Sequence, residues 1–461
     1  MRRDAPDPFV VPPGGGATDL SIVVDELCGI VTDLGEPEMP TGAPADFICT
    51  VAAVADTRRL GGWYADRIAA GTAFDDAGRA RDAAIGEAIE RYCGNLLPPL
   101  ENVTSFRELT AAGERALGPA QLPSWSPTQL ARSGFPYVAL HDDTRVEWVS
   151  GRDSLGCATW APASWVYLNY HHGPRRELPR INHLNYSGIA TGTSVGDAAR
   201  RGLAELVERD AMVTWWYSGA PANGIDPHSI PGFVERWLTS PLQCHLVLVP
   251  TDLPLPVVGA YVHDPRTGVP AAGFSAAATV AAAADKAVQE ALQVWISTSG
   301  LLAPDGASWR AIEDGIFAAG VYLPHREDRH YLDDAGEDFR HVRDLAMQTQ
   351  LWLDPRLHAL AERFTSPPDT VEASTVPEGS VDAVIDELLD RGIPPVAFNL
   401  TATDIAETGA ATVRVLAPGL QPNAPAAYQY LATGRLETRR RALWPGSGSP
   451  PPPVLAPPPH N

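Results

Sequence analysis

One short pattern, Glu-x-x-Glu-Arg, occurs twice in this chain. It appears as Glu87–Arg91 within AAIGEAIERYCG and as Glu205–Arg209 within RRGLAELVERDAMVTWW. Both copies lie in helix-forming sequence, where residues three and four apart share a face. Each copy therefore presents two carboxylates and a guanidinium from one side of a helix. The flanking residues are small and apolar: Ala84, Ile85, Ala88 and Ile89 in the first copy, Leu203, Ala204, Leu206 and Val207 in the second. Solvated ion pairs are the ordinary reading of such spacing. Apolar surroundings favour a partly buried site instead, because carboxylates are costly there without a partner. If the two helices face one another, four carboxylates and two arginines converge. That cluster repels itself unless cations fill it, and Mg2+ carried by a nucleotide polyphosphate is a natural filler.

Lys286 is the only lysine in the chain. It opens the series Lys286-x-x-Gln289-Glu290-x-x-Gln293, a polar stripe on a third, otherwise apolar helical segment. A solvated face explains the stripe equally well. The functional alternative has Lys286 reaching a phosphate as a point charge and Glu290 adding a metal or ribose contact. The segment GIATGTSVGDAARRGL has glycines ahead of a helix start, as phosphate loops do, but lacks Gly-Lys-Ser/Thr. Thr193 and Ser194 also suit helix capping, with Asp197 in the first turn. His183 and the pair His171-His172 form no triad or metal spacing, and structural roles are the simpler account.

A net charge of −21 argues against nucleic acid and anionic membrane as partners. No apolar run reaches the roughly 20 residues that span a bilayer, and the start, MRRDAPDPFVVPPGGG, lacks a signal's apolar stretch. A cytoplasmic enzyme is the expectation. Cys28, Cys49, Cys93, Cys157 and Cys244 are scattered without Cys-x-x-Cys, which points to reduced thiols.

Residues 1–18 read as unfolded Pro/Gly-rich sequence, and 1–50 as an N-terminal extension with short strands. Strand signals fall at 20–34, 47–56, 137–140, 159–166, 245–250, 257–263 and 271–274. Helical patterns cover 75–92, 195–216 and 276–297, and 301–375 reads as a polar helical insertion. A helix at 381–390 precedes strands in PPVAFNLT and TVRVLAPG. The last stretch, WPGSGSPPPPVLAPPPHN, reads as polyproline outside any core. Strands and helices mix without regular alternation, so the expected class is α+β, with a catalytic domain at 51–435 and a tail at 436–461.

In order and interval, AIGEAIERY, SGIATGTSVGDAARRGLAELVERDAMVTWW and Lys286-x-x-x-Glu290-x-x-Gln293 resemble the YcaO family. NLTATDIAETGAATVRVLAPGLQP and the Pro-rich end resemble its azoline-forming cyclodehydratases. The resemblance implies mixed or antiparallel sheets with helices that carry an ATP and Mg2+ site. By position, Glu87, Glu90, Glu205 and Glu208 would bind Mg2+ and phosphate. Arg91, Thr193, Asp197, Lys286, Glu290 and Gln293 would join Glu90 and Glu205 around the nucleotide. Glu87, Glu208, Arg209 and the threaded chain end, Asn461, would be catalytic. This chain has Thr193-x-x-x-Asp197 where many members have Asn-x-x-x-Glu, and Ala70-Gly71-Thr72 where many have Gly-Lys-Gly.

The implied reaction is ATP-dependent activation of a backbone amide in a ribosomal precursor peptide. A Cys, or a Ser or Thr, would become a thiazoline or oxazoline. Thioamide or amidine formation, and a non-catalytic scaffold, are the rival readings. The resemblance further implies a separate leader-binding, ubiquitin-activating-like partner, a homodimer, and a flavin dehydrogenase acting downstream.

Overall fold

The computed structural model describes residues 7–11, 18–56, 58, 67–446 and 449–461. Its three long helices fall where the spacing places them: α1 at Ala77–Asn95, α2 at Val195–Ser218 and α3 at Val280–Ser299. Each starts at a capping side chain, Asp76, Ser194 and Thr279 respectively, which accepts from the N–H of Arg79, Asp197 and Ala282. Among the shorter helices, α4 spans Leu345–Leu351, α5 Val381–Asp390 and α6 Gly434–Leu443.

The strands are β1 (Val31–Gly35), β2 (Phe47–Val54), β3 (Ile68–Phe74), β4 (Val103–Thr104), β5 (Val146–Asp153), β6 (Ala158–Pro162) and β7 (Ile189–Gly192). They continue as β8 (Asn223–Ile225), β9 (Gln243–Val249), β10 (Val257–Asp264), β11 (Val269–Ala276), β12 (Thr370–Val371), β13 (Val396–Asn399) and β14 (Ala411–Leu416). One sheet runs β1-β2-β3 and a second β11-β10-β9-β8-β12. The third runs β4-β5-β13-β14-β7, with β6 on β5. Every pairing of these strands is antiparallel except β12 on β8. The class is α+β, as the mixed pattern implies.

Two glycines set how closely helices approach their sheets. A Cβ on Gly71 of β3 would lie 2.1 Å from the Ala80 carbonyl oxygen of α1, and one on Gly273 of β11 would lie 2.2 Å from that of Ala287 in α3. The alanine-rich faces of both helices need a bare strand beneath them. α2 is buried on nearly every side: Trp215 and Trp216 are fully covered, and it packs on β7, β14 and β11. This central position brings its carboxylates between α1 and α3.

Local expectations fail where burial or turns outweigh composition. The stretch 20–34 is a single helical turn (Leu20–Val23) and then β1, and 159–166 splits into β6 and the short helix Ala163–Val166. Residues 137–140 belong to no strand. Phe9, in the segment read as unfolded, is 1% exposed and its carbonyl accepts from Arg200. The rest of that reading, at 1–6 and 12–17, lies outside the described residues. The proline-rich end also joins the core, since Pro457 to His460 are buried. Proline has no N–H to satisfy, so a buried proline run needs donors for its carbonyls only. Trp216 Nε1 donates to Ala456 O (2.7 Å), Trp352 Nε1 to Pro457 O (2.9 Å) and the Ala272 N–H to Pro459 O (2.7 Å).

Arg414 of β14 is fully buried, and burial pushes its pKa down to about 10. Its guanidinium donates to the carbonyls of Val166 (3.0 Å), Asn185 (2.9 Å), Tyr186 (3.1 Å) and Ser187 (2.7 Å). This one side chain shapes the loop ahead of β7. Arg414→Leu strands those carbonyls without donors, so urea denaturation should show a loss of about 3 kcal/mol or more. A loss below about 1 kcal/mol would mean that the loop holds itself.

Candidate functional site

The twin motifs meet across the edge of one strand. Among the described residues β7 is an end strand, paired with β14 on one side. On its free edge the Thr191 N–H donates to Glu90 Oε1 of α1 (2.7 Å), and the Thr193 N–H donates to Asp197 Oδ2 of α2 (3.0 Å). N–H groups two residues apart point the same way along a strand. Carboxylates from both helices thus close an edge that would otherwise stand unpaired. Glu87 and Glu205 dock likewise on backbone: Glu87 Oε2 accepts from Ala70 N (2.9 Å) and Glu205 Oε2 from Gly188 N (3.0 Å).

The arginines of the two motifs differ in their company. Arg91 Nη2 donates to Glu87 Oε1 (2.7 Å), and its guanidinium lies over the Tyr186 ring, 4.3 Å from the centroid. Arg209 approaches Glu208 Oε1 only to 3.4 Å and Glu205 Oε1 to 3.8 Å. On α3, Glu290 Oε1 lies 3.7 Å from Lys286 Nζ, and the Lys286 side chain is 62% exposed above the site. Gln293 lies one turn further along α3, half-buried. Thr193 and Asp197 sit at the start of α2 and are tied to each other and, through Asp197 Oδ1, to Arg201 (3.2 Å). Ser194 is the cap and Asp197 lies in the first turn, so the capping alternative holds at Ser194 and not at Thr193.

Electrostatics bind these groups into one cluster. Burial, reinforced by Glu87 and Glu205, pushes the Glu90 carboxyl up to about 8. Burial also raises Glu208 to about 8, against the pull of Arg209 and with Glu290 and Glu205 adding to it. Glu290 is raised as well, chiefly by burial, although Lys286 and Arg209 oppose the shift. Two oxygens in this crowd, Glu208 Oε1 and Glu290 Oε2, are buried with no hydrogen-bond partner among the described residues. Such orphan acceptors beside raised carboxyls are the mark of a place built for a cation.

Among the described residues, no group of three or more His, Cys, Asp or Glu side chains is gathered tightly enough to hold a metal ion alone. The carboxylates of the three helices instead act on one another electrostatically. That suits Mg2+, which keeps waters and takes one or two carboxylates together with substrate phosphates. The residues present therefore fit Mg2+ carried on a nucleotide.

The other end of the cluster is closed by the proline-rich tail. His460 is 2% exposed, and its Nε2 meets Arg209 Nη1 directly. Its Nδ1 lies 3.1 Å from Ala272 O, and its carbonyl accepts from Gln348 Nε2 of α4 (3.2 Å). Asn461, the chain-end residue singled out in the sequence, is exposed. The motifs in the sequence do not point to His460, and only its place behind three prolines could have flagged it. His183 lies outside the cluster, with Nδ1 2.7 Å from Tyr137 Oη and its pKa pushed down by burial to about 4. It lines a cavity of about 270 Å3 with His171 and His172. All five cysteines are free, with Cys49 and Cys93 buried. None of the described helices is long and apolar enough to cross a membrane.

Comparison with known proteins gives this geometry a lineage. A family model described as "YcaO cyclodehydratase, ATP-ad Mg2+-binding" matches residues 71–421. An uncharacterized protein of Methanothermobacter thermautotrophicus is 24% identical over 192 residues, covering 40% of this chain and 45% of that one. The chain thus spans about half the length of the curated relative it matches. Among solved structures, a heterocyclase in complex with substrate and cofactor has a TM-score of 0.62 at 18% identity, over 87% of this chain and 51% of that one. YcaO from Methanopyrus kandleri, bound with AMPPCP and Mg2+, has a TM-score of 0.54 at 18% identity, over 85% and 86%. The E. coli microcin synthetase McbBCD complex has a TM-score of 0.55 at 14% identity, over 90% and 96%. These likenesses establish a shared fold. With both carboxylate motifs inside the matched span, the chain belongs to the YcaO family, and ATP and Mg2+ are its cofactors.

Proposed function

We propose that this protein is an ATP-dependent cyclodehydratase that converts Cys, and by the same route Ser or Thr, of a ribosomal precursor peptide to thiazoline or oxazoline. The observation that carries the reading is the pair of buried, unpartnered oxygens, Glu208 Oε1 and Glu290 Oε2, in a cluster fed by three helices. A scaffold that only bound peptide would gain nothing from that arrangement, which costs stability until a cation arrives.

Glu87, Glu90, Glu205 and Glu208 would hold Mg2+ and, through it, the phosphates, with Glu290 adding the carboxylate of α3. Arg209, Lys286 and Arg91 supply positive charge to the anion, while Thr193, Asp197 and Gln293 border the nucleotide. When bound, Mg2+ and ATP supply the phosphoryl group that makes a poor leaving group, the amide oxygen, into a good one. The side chain of Cys, Ser or Thr would give up its proton and add to the preceding carbonyl carbon; the oxygen would then leave as phosphate and the amide nitrogen lose its proton, so that a C=N bond forms in the ring. The protein's share is positioning and charge neutralisation more than strong-base chemistry. The distal run AATVRVLAPGLQP and the proline-rich end favour azolines over the thioamide or amidine reading.

Two of the related structures are a heterocyclase in complex with substrate and a synthetase complex, and this supports a precursor peptide and a separate leader-binding, ubiquitin-activating-like partner here. A homodimer, a downstream flavin dehydrogenase and a cytoplasmic setting complete the proposal.

Two outcomes test it. Glu208→Gln should lower ADP release at least about a hundredfold, the scale on which charge-stabilising groups act, with an unchanged circular dichroism spectrum. ADP release at the wild-type rate would remove Glu208 from the site. Incubated with its precursor peptide and partner, the protein should reduce peptide mass by about 18 Da per ring, whereas a gain of about 16 Da would mark a thioamide former on the same fold.

A further inference from the structure

Arg209 is placed oddly for an arginine between carboxylates. A guanidinium normally closes on a neighbouring carboxylate with short, often paired hydrogen bonds. Arg209 instead stands 3.4 Å from Glu208 Oε1 and 3.8 Å from Glu205 Oε1, and Glu208 Oε1 has no hydrogen bond among the described residues. Its Nη1 is taken by His460 Nε2, which lies 251 positions away in the sequence.

Only one tautomer serves this contact. A guanidinium N–H can only donate, so His460 Nε2 must be the bare nitrogen. The Ala272 carbonyl can only accept, so Nδ1 carries the proton and donates to it over 3.1 Å. Burial, together with the adjacent Arg209 cation, holds the ring neutral. The Phe274 ring meets it edge-on at 5.2 Å, and Gln348 Nε2 grips the His460 carbonyl. The imidazole is therefore fixed in position, in tautomer and in charge.

We propose that His460 is a positioning residue which draws Arg209 away from Glu208, keeping Glu208 Oε1 open for the cation that accompanies the nucleotide. The inference rests on the reading of the cluster as a Mg2+–nucleotide site. Without the imidazole, Arg209 pairs with Glu208 and competes with the metal for the same oxygen. A neutral acceptor is the suitable anchor: a carboxylate there would add a further negative charge to a crowded site, and an apolar side chain would release the arginine.

The test uses the full-length protein with Mg2+ and the non-hydrolysable nucleotide AMPPCP, followed by calorimetry. His460→Leu should weaken binding about tenfold or more, as the loss of a residue that orients metal ligands does. Raising Mg2+ should restore it, because the defect is competition for an oxygen and not a lost fold. In His460→Gln the amide oxygen can accept from Arg209 Nη1, so binding should stay close to wild type. Unchanged affinity in His460→Leu would overturn the proposal. So would an equal loss in both variants that excess Mg2+ does not repair, since that pattern reports damage to tail packing. Wild-type protein that fails to bind the nucleotide would instead refute the reading of the cluster.

Discussion

The structure turns on the burial of carboxylates that repel one another. Glu87, Glu90, Glu205, Glu208 and Glu290 arrive on three helices; burial pushes Glu90 and Glu208 up to about 8 and raises Glu290 as well. Much of the fold serves to hold them there. Gly71 and Gly273 let α1 and α3 settle close to their sheets, and the free edge of β7 takes Glu90 and Asp197 on its N–H groups. Arg414 fixes the loop that offers Gly188 N to Glu205 and Tyr186 to Arg91. The unliganded protein thus stores an electrostatic cost that a cation and a polyphosphate relieve, which makes ligand binding the step that completes the fold's charge balance.

The tail belongs to the same balance. Its carbonyls are met by Trp216, Trp352, Gln348 and the Ala272 amide, and His460 lies against the free edge of β11. Gln348 lies on α4, and Trp352 directly follows it, both within the segment whose composition reads as a polar insertion. That segment works as the far wall of the site.

The periodic elements were legible from residues alone. α1, α2 and α3 announce themselves through alanine-rich faces and capping residues, and the spacing of the twin motif sets the carboxylates of α1 and α2 three residues apart on each helix. Lys286 and Glu290 draw attention in the sequence because a single lysine stands out in a chain whose other strong bases are arginines. Contacts between distant segments were not legible. β5 reads as VEWVSGRD, interrupted by Gly and charged residues, yet it is buried because β13 and β6 flank it. Phe9 looks like part of a Pro/Gly-rich leader, and only Arg200 and α2 explain its burial. His460 carries no local signal, since its meaning comes from Arg209 and Ala272. Composition could not reveal that a proline run is inexpensive to bury once tryptophan donors are waiting.

The most direct measurement is thermal unfolding of wild type and Glu208→Gln, each with and without Mg2+ and AMPPCP. If the carboxylates are held at a cost that the ligand relieves, the unliganded variant should melt at or above the wild-type temperature. Saturating ligand at about a hundred times Kd should then stabilise wild type by about 2.7 kcal/mol and the variant by much less. An unliganded variant that melts well below wild type, yet gains as much from the ligand, would contradict the account.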